Sequence, residues 1–307
     1  MRQTLRLGRV AGISVGVHWS VLLIVLLLAQ SLALVVLPEA EPGGPAWLYW
    51  LVAVVATVLF VASLLAHELA HALVARHYGI RVERVTLWLL GGVAELGGRP
   101  PTPRVDLRVA LVGPLTSLAA AAAFFAGAGM GWLPPVPVAA LLWLSAINLL
   151  LAAFNLLPAA PLDGGRVLRA LLWRRWGDRV RADVAAARAG RGLGGVLAVI
   201  GLLQVLAGGN LAGLWFVLLG WFLFAAAAVE QRSAELTALL GDLPVRAAMD
   251  PHPLAGLVYQ SVQEFLDLIG WPPRHRAYPV VEPAGRPAGI VHLATLAQVP
   301  VPMRPHT

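Results

Sequence analysis

The 307-residue chain contains no cysteine and no lysine. Without cysteine it has no disulfide, no thiolate metal ligand and no thiol nucleophile, and its redox compartment is left open. Charge is scarce as well: 13% of residues are charged, about half of the roughly 25% found in soluble domains. What fills the space is apolar. Hydrophobic residues make up 59% of the chain, with runs near the ~20 residues that a membrane-crossing helix requires. An ordinary soluble globule, a fibrous protein and a disordered chain are thereby excluded.

Six stretches qualify as spans: about 18–37, 47–75, 106–130, 136–157, 193–208 and 211–230, the fifth short and glycine-rich. Arg2, Arg6 and Arg9 precede the first, as in a signal peptide, but the apolar run continues past Gln30 and Ser31 to Leu37. That is longer than an h-region of about 7–15 residues, so the segment reads as a retained span.

All 23 basic side chains are arginine, and the net charge is +7. Three precede the first span, six lie within 76–108 and eight within 166–191, whereas 38–46, 131–135 and 208–210 have none. This alternation is the positive-inside pattern of six spans in a cell membrane with both termini cytoplasmic. The basic excess is therefore topology, with no nucleic-acid partner. The expected fold is an all-α polytopic membrane domain over 1–236, followed by a small cytosolic α/β domain over 237–307, where proline becomes frequent and charges of both signs return.

The second span ends in His67-Glu68-Leu69-Ala70-His71, an H-E-x-x-H motif. Residues four apart share a helix face, so two imidazoles can hold one zinc, with the intervening glutamate placed as a general base. Ionisable residues in an apolar helix are costly and mark function. Catalytic zinc commonly has three protein ligands, and the end of the fourth span offers a third in Asp163. Pro158 and Pro161 interrupt the helix just before it, and Gly164 and Gly165 allow close backbone approach. Residues 82–96 read as a short membrane-dipping β-hairpin turning at Gly91-Gly92, with a free edge to receive an extended substrate or a loop that only plugs the site. His18 reads as an interfacial anchor, His77 as a solvated helix-end residue, and Asn148 and Gln204 as interhelical hydrogen-bonders.

Taken together, His67-Glu68-x-x-His71 and Asn155-x-x-Pro158-x-x-Pro161-Leu162-Asp163-Gly164-Gly165 resemble the site-2 protease family of intramembrane zinc metalloproteases. Gly16-Val17-His18-Trp19, Gly91-Gly92 and Gly113-Pro114 add to the likeness, which covers residues 1–236. The resemblance implies one zinc per chain on His67, His71 and Asp163, Glu68 as the base, and Asn155 positioning substrate or stabilising the oxyanion. It implies a substrate with a transmembrane segment, such as an anti-sigma factor or similar regulator. The C-terminal segment resembles a single CBS motif in Val245-Arg246-Ala247-Ala248-Met249, Tyr278-Pro279-Val280-Val281 and Gly289-Ile290-Val291. Such motifs work in pairs, which implies a homodimer through this domain. His292 and Thr295 replace the usual Thr and Asp, which speaks against nucleotide binding. The rival reading is a polytopic transporter or channel with a metal in its pathway. It accounts for broken helices and buried polar residues but not for Glu68 between two ligands.

Overall fold

A computed structural model describes residues 4–88, 91–241, 243–269 and 275–305, in two compact units, residues 1–238 and 239–307. The first unit opens with a feature the span search does not reveal. Leu5–Val10 (β1) and Ile13–Val17 (β2) pair antiparallel around Ala11 and Gly12, whose φ angles of 47° and 78° close a tight turn. Gly12 takes that left-handed conformation without a Cβ penalty.

Among the described residues, six helices are long and apolar enough to cross a membrane. The first begins as α1 (Ser20–Ser31) and continues through a π-helical turn at Leu32–Val36 into α2 (Leu37–Ala40). The second, α3 (Ala46–His77), has 32 residues. At 1.5 Å per residue His67 lies about 32 Å from its start, near the far edge of a ~30 Å hydrocarbon core. The next two are α4 (Pro103–Ala128), capped by Thr102 Oγ1, and α5 (Pro135–Asn155).

Between α3 and α4 run β3 (Val82–Trp88) and β4 (Gly91–Leu96). The predicted hairpin is present, but it belongs to a larger sheet of order β1-β2-β3-β4, with β2 and β3 parallel. Its turn is also not where glycine suggested. Trp88 pairs with Gly91 and Leu87 with Gly92, so both glycines are strand residues and the connection falls at 89–90, outside the described residues. The sheet buries Ile13, Val82 and Val85 against Ala72 and Ala75 of α3 and Val109 of α4. It thus sits against the end of α3 that carries the H-E-x-x-H motif.

After α5 the chain turns through 156–162 into α6 (Asp163–Trp176), which ends at Gly177 with φ 72°. Then come α7 (Arg179–Gly208) and α8 (Gly213–Leu240). The fifth span, expected from residue 193, starts fourteen residues earlier, at Arg179, capped by Asp178. Its first half is rich in Arg and Ala, both strong helix formers that a hydropathy search passes over. Where α7 meets α8, Gly194, Gly201, Gly213 and Gly220 bring the backbones together: a Cβ at any of them would overlap the facing helix. Small residues at such a seam permit dispersion packing in lipid.

The second unit is a small α/β body. Gly256–Leu257 (β5), Ala277–Val281 (β6) and Pro287–His292 (β7) form a sheet, with short helices at Val245–Ala248 (α9), Val262–Ile269 (α10) and Leu293–Ala297 (α11). Phe265, Tyr278 and Leu296 are its buried core.

Candidate metal centre

His67 and His71 come from one face of α3, and Asp163 is the first residue of α6. The three converge. His67 Nε2 lies 3.2 Å from His71 Nε2, and Asp163 Oδ2 lies 3.2 and 3.1 Å from the two nitrogens. Tetrahedral zinc with bonds of ~2.0–2.2 Å separates its ligand atoms by about 3.3 Å, so the triangle has the right size.

The far sides of the rings show what each near side offers. The Val109 carbonyl can only accept, so it takes a hydrogen bond from His71 Nδ1–H, and the neutral ring presents a lone pair at Nε2. His67 Nδ1 lies 2.9 Å from the buried Ser117 Oγ. The His71 lone pair and the Asp163 carboxylate face one point beside His67 Nε2, where a cation would sit, and outer-shell contacts of this kind orient metal-bound histidines. The donor set of two imidazoles and one carboxylate fits zinc.

The surroundings leave room for an ion by omission. A Cβ at Gly113 of α4 would overlap Nε2 of both histidines. A Cβ at Gly92 would overlap Cγ and Cδ of Glu68, so glycine in β4 gives that carboxylate its space. Gly164 and Gly165 press α6 onto the backbone of Leu156–Ala160, which sets Asp163 beside the pair.

The triad lines a cavity of about 590 Å³ shared with Glu68, Asn155 and Arg166, whose remaining wall is mostly apolar and includes Trp88, Phe154 and Phe222. Every predicted site residue is therefore in one place. His18 hydrogen-bonds Ser20 and lies beside Trp19 with the rings tilted by 42°, and His77 is exposed at the end of α3. Asn148 departs from expectation: its Nδ2 donates to Leu144 O within its own helix, and among the described residues it makes no bond to another helix. Sequence reasoning missed Arg166, whose Nη1 lies 3.9 Å from Asp163 Oδ1, and Ser117. Arg166 is three residues past Asp163 on the same helix, a spacing that could have found it.

The comparisons with known proteins agree with this centre. The sequence matches the profile of Peptidase family M50 over residues 55–136 and 133–200. It is 47% identical to Rip3 of Mycobacterium tuberculosis, covering 97% of this chain and 77% of Rip3. Zinc metalloprotease MJ0392 of Methanocaldococcus jannaschii is 31% identical, over 92% of this chain and 76% of the relative. The fold matches the site-2 protease structure from Methanocaldococcus jannaschii with a TM-score of 0.50 and 29% identity, covering 74% of this chain and 94% of that one. The chain is a multi-pass membrane zinc metallopeptidase and belongs to peptidase family M50, the site-2 protease family.

Proposed function

We propose that this protein cleaves membrane proteins within or beside their transmembrane segments, as a step of regulated intramembrane proteolysis. The observation that carries the proposal is the convergence of His67, His71 and Asp163 beside Glu68 in a largely apolar cavity. His67, His71 and Asp163 hold the metal. Zinc supplies a Lewis acid that activates water and polarises the scissile carbonyl. Glu68 takes the proton from the attacking water and returns it to the leaving amine. Asn155 lines the cavity at the end of α5, where its amide can donate to the carbonyl oxygen as negative charge develops.

A peptide bond inside a helix is shielded, so the substrate must unwind before it reaches Glu68. Among the described residues β4 is an edge strand of the sheet, as β1 is at the other side, and its Gly92 touches Glu68. Strand addition along this edge would present an extended backbone to the base. A single-pass regulator of the anti-sigma type fits such a site. Capture on a Glu68→Gln variant, followed by mass spectrometry and by cleavage of the captured protein with wild type, tests the reading. Solute flux across vesicles without any hydrolysis would overturn it in favour of a transporter.

The arginine pattern supports a cell-membrane location with both termini in the cytoplasm. Reporter fusions at residues 44 and 209 should be active outside the cell, and a fusion at 175 inside. An external C-terminus would sink this topology. The C-terminal unit acts as one CBS-like half that pairs with the same unit of a second copy. Deleting 237–307 should then reduce the oligomer to a monomer in detergent while zinc stays bound. A full-length protein that is strictly monomeric in detergent and bilayer counts against the pairing.

A further inference from the structure

All three proposed ligands are held, directly or at one remove, by a single face of α4. Asp106, Val109, Gly113 and Ser117 fall within about 80° of one another around the helix axis at 100° per residue. Val109 O fixes the His71 ring, Ser117 Oγ meets that of His67, and Gly113 leaves the gap between them. Asp106 serves the third ligand. It is fully buried and accepts from Arg169 Nε at 2.8 Å and Nη2 at 2.7 Å, a bidentate pair. Arg169 stands on α6, six residues after Asp163, and its Nη1 also reaches Asp183 of α7 at 3.4 Å.

We infer that this face of α4 is the template that registers the metal centre, with Asp106 and Arg169 acting together as positioning residues for Asp163. The bidentate fork fixes distance and angle at once, which a point charge does not. Removing Arg169 leaves the buried Asp106 charge unpaired, and removing the Asp106 charge leaves Arg169 pulled toward Asp183 alone, so α6 is driven to shift, rotate or admit water. Any such motion moves Asp163 relative to two imidazoles that α4 still holds. Asp106 and Arg169 lie outside the lining of the cavity, so their effect should appear in metal affinity.

The test measures zinc affinity of the full-length protein in detergent by competition with a chromophoric chelator, and the visible spectrum of the Co²⁺-substituted form. Asp106→Asn and Arg169→Gln should each weaken zinc by about 10–100-fold, the usual effect of losing an outer-shell partner. The double variant should be little worse than Arg169→Gln, because both single changes remove the Asp106–Arg169 pair and Arg169→Gln already loses Asp183 as well. The Co²⁺ bands should shift in all three. Ser145→Ala, which removes a bond from α5 to Ala121 O, one turn beyond Ser117 on α4 and in contact with no proposed ligand, should lower Tm yet leave zinc affinity and spectrum unchanged. If the neutral variants fail to fold, Arg169→Lys decides: it keeps the charge, loses the fork and should still weaken zinc several-fold. Wild-type affinity in the foldable variants, or an equal loss in Ser145→Ala, overturns the inference. The inference rests on the ligand reading, which Asp163→Ala tests separately. Zinc kept by Asp163→Ala refutes the ligand set, whereas zinc lost there but kept by Asp106→Asn refutes the template alone.

Discussion

Glu68→Gln is expected to keep about one zinc per chain while cleavage falls by 10²–10⁴-fold, the range a positioned general base contributes. Glu68 lies one residue, or about 100°, off the face that carries His67 and His71. It shares their cavity but stands outside the close triangle formed by the two rings and Asp163. Glutamine preserves its shape against Gly92 and cannot accept a proton. Metal content by mass spectrometry and turnover of a captured substrate give the two halves of the result. A Glu68→Gln protein that cleaved at the wild-type rate would remove the base from this position, and one that lost its zinc would make Glu68 a ligand.

Asp163→Ala should lose most of its zinc together with all activity. The carboxylate is the one anionic member of the triad, and two neutral imidazoles compete poorly with water for a divalent cation. The loss should persist when zinc is supplied at stoichiometric concentration, because the site's negative charge has gone along with one bond. Retention of full zinc and activity would send the search for a third ligand elsewhere, first to Glu95, whose side chain lies outside the described ones.

Much of this centre is legible in the sequence because its parts are local. His67, Glu68 and His71 sit within five residues, and the prolines before Asp163 mark the break that frees it. Spans one to four are legible for a similar reason, since apolar runs bounded by charge and proline are one-dimensional signals. What escaped reading is whatever depends on a partner far along the chain. Ser117 and Asp106 look like isolated polar residues in an apolar helix, and only their contacts with His67 and Arg169, 50 and 63 residues away, give them roles. The strand Leu5–Val10 carries arginines that resemble a leader's basic start, and the pairing of Ile13–Val17 with the distant β3 has no local trace. Gly91 and Gly92 misled in the opposite direction. A glycine pair suggests a turn, but Gly92 is small because of Glu68, which no turn rule anticipates.

His71 and Asp163 are separated by 92 residues, and β3, β4, α4 and α5 all lie between them. On the proposed ligand set, an ion shared by the two closes that whole segment into a ring, in a protein that has no sulfur bridge to do so. A metal tie of this kind is folding energy as well as chemistry. It also orders events during biogenesis. The H-E-x-x-H helix enters the membrane long before α6 is made, and until α6 docks that helix has two imidazoles and a carboxylate base but an incomplete grip on zinc. On the same ligand set, a partly inserted chain would be inert until α6 docks and its own assembly is complete.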